Sequence, residues 1–367
     1  MEAKPLYKTN PIDDLIFDPQ DSIVDMTSYI LNARKMIDAG LGLHFPIPEI
    51  EKEFPIPPIL PGKVVTVGAQ SHNGKSMFLD FWKDDAARRI SEANRKQDII
   101  ISILAEDMVE EAMAVALMKE LERTGDGGKI LSEDGLLTAS VRLYGVPIYF
   151  IGYSLSRPQA KIEANMSNAE RAIGRIIERR KDQNKDTMVQ ALFGDYLQAM
   201  PLDKEIMSAV IDKRRNLQVA ADMQAVRRIA RRVPCPVVFA SQAKEELKHA
   251  PGHNMLIPGL LDMGETKVIG DHTDTNFGLW MPKTTHPWGE IIEHGKSNPL
   301  RFRVLTELVW IRCNKQRGFD PFNLQRLPAN KSWPLKVDFA SGKFSLWTAQ
   351  ATVDTAYKSI AQKESDE

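Results

Sequence analysis

The chain has 367 residues, of which 43% are hydrophobic, and its 49 acidic side chains nearly cancel its 48 basic ones. This composition is enough for a sizeable core and indicates a globular, soluble protein. The near-zero net charge excludes an overall positive field that would draw the chain to nucleic acid, so charge neither supports nor excludes a DNA partner, and any such contact must come from local basic clusters.

Secretion and membrane insertion are not expected. No stretch approaches 18 consecutive apolar residues, and the first residues do not combine a basic start with an apolar core. The two cysteines, Cys235 and Cys313, lack metal-ligand spacing and are predicted to be buried thiols in a reducing compartment. These features predict a cytoplasmic protein with no membrane partner.

The first 40 residues are expected to form a polar tail followed by a linker helix. Apolar residues recur at helical spacing over 21–39, and Gly40 would end that helix. Its apolar face could pack on its own domain or on a neighbouring subunit, and the residues leave both open. Residues 44–62 are rich in proline and are predicted to form an extended connector.

From residue 63 onward, apolar runs alternate with stretches of helical periodicity, which predicts an α/β fold with a mostly parallel sheet flanked by helices. The predicted strands are 63–68, 98–104, 147–151, 188–195, 235–240, 274–281 and 307–313. The predicted helices begin near 75, 108, 158, 217 and 261.

The segment 68–76 has the pattern of a phosphate-binding loop that ends in Gly74, Lys75 and Ser76. It lies between a β-branched run and an apolar stretch, as expected for a loop that joins a buried strand to a helix N-terminus. Gly74 permits close approach of the backbone to phosphate, Lys75 would contact the β- and γ-phosphates, and Ser76 would hold Mg²⁺. Ala69 stands where the strict motif has Gly. The predicted residues of the ATP site are Ala69, Asn73, Gly74, Lys75, Ser76 and Met77.

Polar side chains at the carboxyl ends of the predicted strands are the next candidates, because ligands bind there in sheets of this kind. Glu106 follows the second strand and could orient and deprotonate the water that attacks the γ-phosphate. Asp195 closes the fourth strand and is expected to hold Mg²⁺ together with Ser76. Gln242 follows the fifth strand and could sense the γ-phosphate. From the residues alone, helix capping is the alternative for Glu106 and for Gln242.

Several segments in collinear order resemble the ATPase domain of the DnaB family of hexameric replicative helicases. The most specific is Asp-Tyr-Leu-Gln at 195–198, and it is followed by the helix end and strand of 228–238 and by Ala-Ser-Gln at 240–242. Pro-Gly-Lys at 61–63 and Glu-Asp-Met at 106–108 extend the similarity. The resemblance implies a RecA-like P-loop ATPase core.

The similar region spans roughly residues 41–328 and includes a segment, 311–318, that looks like the Lys-Gln-Arg hairpin of the family. In the family the lysine and arginine of this hairpin reach the nucleotide of the neighbouring subunit, which assigns that role to Lys315 and Arg317. Such an arginine can contribute ~10³-fold or more to the rate. Independently of the resemblance, a basic pair on a turn after a strand is more often a solvated hairpin tip. The catalytic set implied by the resemblance is Glu106, Lys75, Gln242, Lys315 and Arg317.

DNA contacts are implied by residues 261–274, which are similar to the loop that family members use to grip a single strand. Glu265 is retained, but Gly264 stands where an arginine is usual and Lys267 stands where a glycine is usual. Phosphate binding requires positive charge, so either Lys267 replaces the arginine or the grip is weaker. A solvated surface loop is the alternative. A second basic loop follows Gln242. The predicted DNA contacts are Glu265, Lys267, Lys244 and Lys248.

The sequence therefore divides into a tail with a linker helix over 1–40, a RecA-like domain over 41–347, and a C-terminal tail over 348–367. About 40 residues before the connector cannot supply the globular N-terminal domain that recruits primase in this family. This suggests a compact phage, plasmid or mobile-element relative in a bacterial host or a virus-infected bacterium. Residues 283–304 have no counterpart in the family pattern and are predicted to be an insertion that faces a partner.

The implied function is that of a 5′-3′ DNA helicase that forms a ring of six subunits, hydrolyses ATP with Mg²⁺ and moves on single-stranded DNA to unwind duplex during replication. Its partners would be single-stranded DNA, further copies of the chain, and a loader or primase. The alternative is a RecA-like ATPase that uses ATP as a switch to recruit or load another protein. The Asp-Tyr-Leu-Gln segment and the Lys-Gln-Arg hairpin favour the helicase, whereas Gly264 favours the switch.

Overall fold

The computed structural model describes residues 42–53, 59–95, 97–124, 146–155, 165–183, 187–200, 215–244, 247, 256–263, 268–294, 300–316 and 332–347. The predicted linker helix over 21–39 and the predicted tail over 348–367 lie outside the described residues.

The described helices are α1 Pro48–Glu53, α2 Lys75–Glu92, α3 Val109–Thr124, α4 Met166–Asp182, α5 Arg215–Arg232 and α6 Val268–His272. The described strands are β1 Val64–Ala69, β2 Ile99–Met108, β3 Ile148–Tyr153, β4 Val189–Asp195, β5 Val237–Gln242, β6 Thr275–Trp280, β7 Ile291–His294, β8 Leu300–Arg303, β9 Leu308–Gln316, β10 Ser332–Asp338 and β11 Lys343–Leu346. Short 3₁₀ turns lie at Leu197–Ala199, Leu260–Asp262 and Pro282–Thr284.

In the described part of the chain, nine strands form one sheet in the order β11-β10-β9-β6-β1-β5-β4-β2-β3. Every neighbouring pair from β3 to β6 is parallel, whereas β9, β10 and β11 are added in antiparallel register. The predicted mostly parallel sheet is therefore confirmed. Because β1 lies inside the parallel region, the carboxyl ends of β2, β4 and β5 lie at the same edge of the sheet as the end of β1.

The sheet has a hydrophobic core on each face, as expected when successive strand residues point to opposite sides. Val65 and Val67 belong to the core beneath α2, which also contains Phe45 and Trp82 with their rings 5.3 Å apart. Val64 belongs to the second core, which is covered by α4 and α5. Covering helices on both faces leave the strand ends as the accessible positions for a ligand.

The proline-rich region 44–62 is predicted to form an extended connector, and this prediction is wrong for Pro48–Glu53, which form α1. Pro48 occupies the first helical position, where the missing N–H of proline is not needed, and Glu49 and Glu51 lie in the positive first turn. A proline-rich composition therefore conceals a short helix.

Other boundaries also differ from the prediction. β2 continues to Met108, so Glu106 and Asp107 lie within the strand and not after it. The helix predicted from 158 begins, among the described residues, at Met166, where the Asn165 side chain accepts a bond of 2.9 Å from the amide of Asn168. The helix predicted near 261 is a 3₁₀ turn, and a separate short α6 follows at Val268.

Residues 283–304 contain the β7–β8 hairpin, which forms a sheet of its own. A third apolar cluster, including Trp280, Phe302 and Trp310, packs the hairpin against β6 and β9. Trp288, at the start of this segment, is 69% exposed. The partner-facing role of the segment stays a prediction.

The two cysteines lie in the interior of the protein. Cys235 and Cys313 are both buried and free, and burial raises the pKa of Cys313 to about 12. The predicted buried thiols are therefore confirmed.

Among the described helices, none is long and apolar enough to cross a membrane.

Candidate nucleotide site

The phosphate loop lies between β1, which is buried along its whole length, and the first turn of α2. Gly74 precedes the helix with a φ of 76°, a left-handed conformation that favours glycine. A Cβ at this position would also approach the terminal methyl carbon, Cε, of Met281 to 3.2 Å. The backbone conformation therefore favours glycine at 74, and a side chain there would also press on Met281. The same geometry leaves the amides that open α2 available to an anion.

Asn73 holds the loop in shape from within. Its side chain is 2% exposed, and its Oδ1 accepts from the amide of Met281 at 2.7 Å and from the hydroxyl of Thr284 at 3.1 Å. Its Nδ2 donates to the carbonyl of Ser71 at 3.0 Å. Asn73 was predicted to bind nucleotide, and in the structure its side chain is already occupied by bonds that fasten the loop to the end of β6.

Lys75 lies among the charged groups at this edge of the sheet. Its ammonium is 4.8 Å from the centroid of the Tyr196 ring. Burial lowers the pKa of Lys75, and the negative charges of Asp195 and Glu106 oppose that shift without cancelling it. The ammonium is thus partly desolvated, which strengthens its attraction for a phosphate.

Asp195 ends β4 and lies opposite the first turn of α2. Burial raises the pKa of its carboxyl, although a hydrogen bond with the Ser76 side chain and the charge of Lys75 oppose the shift. Its Oδ1 is buried and has no hydrogen-bond partner among the described residues. A buried carboxylate oxygen without a partner beside a serine hydroxyl matches the oxygen ligands that Mg²⁺ prefers. The residues present therefore fit a magnesium ion held by Ser76 and Asp195.

Glu106 reaches the same group of residues from the end of β2. Its side chain is exposed, and its Oε1 accepts a hydrogen bond of 3.0 Å from the hydroxyl of Tyr196. The next residue, Asp107, has its pKa raised by burial and then by the negative charges of Asp80, Glu106 and Glu111. Through its contact with Tyr196, Glu106 is linked to the end of β4, which carries Asp195.

Gln242 at the end of β5 contacts the phosphate loop directly. Its Nε2 donates to the hydroxyl of Ser71 at 2.9 Å, and its backbone amide donates to Oε1 of Gln198 at 3.0 Å. The Nε2 of Gln198 donates to the hydroxyl of Ser241 at 2.9 Å and to the carbonyl of Gln242 at 3.0 Å. Gln198 therefore orients the strand end that carries Gln242.

Sequence reasoning assigned no role to Tyr196 or Gln198, although both lie in the Asp-Tyr-Leu-Gln segment that it singled out. The structure places the Tyr196 ring against Lys75 and uses the Gln198 amide to fasten β5. The hydroxyl at 196 and the amide at 198, directly after Asp195, were the signal in the sequence that could have indicated these roles.

The remaining predicted residues are only partly described. Lys315, near the end of β9, donates from its ammonium to the carbonyl of Gly270 in its own chain. Lys244 is exposed, while its backbone amide donates to Asp262 and its carbonyl accepts from Gln70. The predicted sites that lie outside the described residues are Arg317, Glu265, Lys267 and Lys248.

A row of polar side chains crosses β1, β6 and β9; its members Thr66 and Asn276 are fully buried, and Asn314 is half-buried. Asn276 donates to the hydroxyl of Thr66 at 2.7 Å and accepts from Nδ2 of Asn314 at 2.8 Å. Asn314 also donates to the carbonyl of Pro258 at 2.8 Å and accepts from Nε of Arg312 at 2.8 Å. These bonds hold the segment before the predicted DNA loop against the strands that flank the phosphate loop.

No protein-family model and no curated protein matches the sequence. Solved structures do match the fold, among them the ATPase domain of G40P, with a TM-score of 0.56, 14% identity, and coverage of 88% of this chain and 99% of that one. A DnaB-like replicative helicase, described with its interactions with primase, matches with a TM-score of 0.55, 14% identity, and coverage of 89% of this chain and 68% of that one. At this level of identity the likeness establishes the fold. The predicted RecA-like fold, of the type found in DnaB-like helicases, is therefore confirmed.

Proposed function

We propose that the chain is an ATP-dependent DNA helicase of the DnaB type, which assembles into a ring and moves on single-stranded DNA in the 5′-3′ direction. One observation carries this proposal: residues far apart in the sequence meet at one edge of a RecA-like sheet. These residues are Lys75, Ser76, Glu106, Asp195 and Gln242.

The binding step would use the phosphate loop and β4. Lys75, already partly desolvated, neutralises charge on the β- and γ-phosphates, and the amides at the start of α2 donate to them. Ser76 and Asp195 supply oxygen ligands to the metal. A bound Mg²⁺ would neutralise charge on the phosphates as the transferred group leaves.

The hydrolytic step would use Glu106 and Gln242. Glu106 is exposed to solvent, so its carboxylate can orient a water and accept its proton. Gln242 now donates to Ser71 in the phosphate loop, and a γ-phosphate oxygen could replace that acceptor. Gln242 would thereby distinguish ATP from ADP.

Coupling to DNA would follow from the path of the chain after β5. Ala243 donates to Ala69 at 2.8 Å and forms a β-bridge with Met263. Met263 directly precedes the loop 264–267 that contains the predicted contacts Glu265 and Lys267. A shift of Gln242 would thus be transmitted through two residues to the predicted DNA loop.

The ring would be needed because Lys315 lies near the end of β9 and Arg317 directly follows that strand, which is separated from β1 by β6. From there they would act on the nucleotide of the next subunit, as the trans arginine does in related ATPases. Mixing Arg317→Ala subunits with Lys75→Ala subunits tests this arrangement, because some interfaces then contain both intact parts. ATPase activity should reappear on mixing; normal turnover by Arg317→Ala alone would exclude the trans role.

The decisive experiment measures ATP turnover with and without single-stranded DNA, mass in solution, and unwinding of forked duplexes that carry either a 5′ or a 3′ tail. The helicase proposal expects a hexamer, stimulation of turnover by single strands, and unwinding only from the 5′ tail. Lys75→Ala is the matched inactive control. Stimulation without any unwinding would contradict the helicase.

The second candidate is an ATP switch that recruits or loads another protein, and Gly264 favours it because the position lacks the usual arginine. A switch should bind and hydrolyse ATP without stimulation by DNA, and its nucleotide state should control the binding of a loader or primase. Both proposed functions would be carried out in the cytoplasm of a bacterial cell.

A further inference from the structure

Tyr196 contacts both charged groups that hydrolysis would require. Its hydroxyl donates to Oε1 of Glu106 at 3.0 Å, and its ring centroid lies 4.8 Å from the ammonium of Lys75. It directly follows Asp195 at the end of β4, so a single residue links the metal-binding strand, the proposed base and the phosphate-binding lysine.

We propose that Tyr196 is a positioning residue for ATP hydrolysis, whose hydroxyl orients Glu106 and whose ring keeps the Lys75 ammonium from pairing with that carboxylate before nucleotide binds. This inference rests on the proposed ATPase function. Tyr196 has no role in the ATPase mechanism proposed above, so the inference adds a residue to it.

The hydroxyl is suited to orient the base. A carboxylate on an exposed strand end can rotate among several orientations, and a charge-assisted hydrogen bond to one oxygen restricts that rotation. The bond is made to Oε1, which leaves Oε2 for a water molecule. Preorganisation of this kind lowers the barrier because the base need not be ordered in the transition state.

The ring is suited to hold the lysine. The Lys75 ammonium and the Glu106 carboxylate contact the same tyrosine side chain, and the charge of Glu106 acts on Lys75, so the two groups would attract each other directly if the ring were absent. That ion pair would remove from use both the cation that binds phosphate and the carboxylate that activates water. An aromatic face attracts an ammonium more weakly than a phosphate does, so the lysine can leave the ring when nucleotide enters.

Packing alone is the competing explanation, because the Tyr196 ring also contacts the hydrophobic core beneath α2. Tyr196→Phe keeps the ring and removes only the hydroxyl, whereas Tyr196→Leu removes both contacts. Tyr149→Phe is the matched control, since its hydroxyl lies on β3 and contacts Arg180 at 3.4 Å, away from the nucleotide.

The experiment measures single-turnover hydrolysis, affinity for a non-hydrolysable ATP analogue with Mg²⁺, and the melting temperature of the full chain. For Tyr196→Phe we expect hydrolysis to fall about 10- to 100-fold, the range for loss of a hydrogen bond to a charged group, with affinity within about twofold of wild type. Tyr149→Phe should leave hydrolysis and affinity unchanged.

For Tyr196→Leu we expect the same loss of hydrolysis and, in addition, an affinity several-fold weaker, because Lys75 can now pair with Glu106. Adding Glu106→Gln to Tyr196→Leu should restore the affinity, since the competing charge is gone. A purely structural role would lower the melting temperature and would not be rescued by a change at 106.

The outcomes separate the inference from the function on which it rests. If wild-type protein hydrolyses ATP and Tyr196→Phe hydrolyses it equally fast, the positioning role is wrong while the ATPase stands. If affinity in Tyr196→Leu is normal, or is not restored by Glu106→Gln, the role of the ring is wrong. If wild-type protein binds no nucleotide and behaves like Lys75→Ala, the proposed function fails and the inference fails with it.

Discussion

Two polar groups of residues in the same sheet have opposite character. The open cluster, made of Lys75, Glu106 and Asp195, lies at the carboxyl ends of β1, β2 and β4 and includes a buried oxygen of Asp195 without a hydrogen-bond partner among the described residues. The closed ladder, made of Thr66, Asn276 and Asn314, crosses β1, β6 and β9, and its side-chain amides are joined to one another and to neighbouring groups.

The difference separates residues that support the fold from residues that await a ligand. A buried polar network that supplies its own partners specifies a unique arrangement and contributes to stability. A buried polar atom without a partner costs stability and persists where function requires it. The two groups also differ in burial, since Thr66 and Asn276 are fully buried whereas Glu106 is exposed. Polarity alone therefore does not identify the site, whereas the exposed carboxylate of Glu106 and the unsatisfied oxygen of Asp195 do.

The largest expected effect is on the open cluster. Glu106→Gln removes the proposed base and keeps its shape, so ATP turnover should fall by about 10²- to 10⁴-fold. Nucleotide affinity and melting temperature should stay close to wild type, because the side chain is exposed. Glu111→Gln, an exposed acid on α3, is the control. Normal turnover by the 106 variant would remove Glu106 from the mechanism.

Substitutions in the closed ladder should lower the stability of the fold and leave ATP binding intact. Asn276→Leu leaves the amide of Asn314 and the hydroxyl of Thr66 without their shared partner, and the free energy of unfolding should fall by about 2–4 kcal/mol. Denaturant unfolding measures this change, while the affinity of the folded fraction for ATP should be retained.

A double-mutant cycle sharpens that prediction. Removing both amides in Asn276→Leu/Asn314→Leu should cost less than the sum of the single changes, because fewer buried groups are left unsatisfied. Strict additivity would mean that the two asparagines do not act as one ladder.

Asp195→Asn should have opposite effects on function and on stability. Loss of the metal ligand should weaken Mg²⁺-dependent binding of ATP by about 10- to 100-fold, and a chelator should then make little further difference. The melting temperature should stay the same or rise, because burial disfavours the charge of the aspartate and an amide has none. A large fall in melting temperature would place Asp195 with the structural residues.

The smallest effect is expected at Lys244, whose backbone is held while its side chain is exposed. If it contacts a DNA phosphate, Lys244→Ala should weaken single-strand binding a few-fold and reduce the slope of log affinity against log salt by about 1. Binding that does not depend on salt would exclude this contact. ATP affinity without DNA should not change.

Much of the parallel region could be predicted from sequence because its strands are local apolar runs. β1, β4 and β5 begin and end within about two residues of the prediction, and the positions of Ser76 and Asp195 follow from those ends. The resemblance to DnaB-type helicases supplied the RecA-like fold, which the structure confirms.

The parts that were missed depend on contacts between residues distant in sequence. Strands β10 and β11 were not predicted: β10 pairs with β9, and β11 pairs in turn with β10. The closed ladder joins Thr66 to Asn276 across 210 positions, and no local pattern reveals which polar residues will face each other. The contacts of Tyr196 with Glu106 and Lys75 were missed for the same reason.

The side chain of Asn73 has a consequence for how quickly nucleotide enters and leaves. Its bonds to Met281, Thr284 and Ser71 hold the phosphate loop in shape while the site contains only protein. An incoming nucleotide therefore need not order the loop, so the association rate constant should be set by encounter and not by a slow rearrangement. The dwell time of the product would then depend on how fast phosphate contacts break, and nucleotide exchange should follow a single exponential.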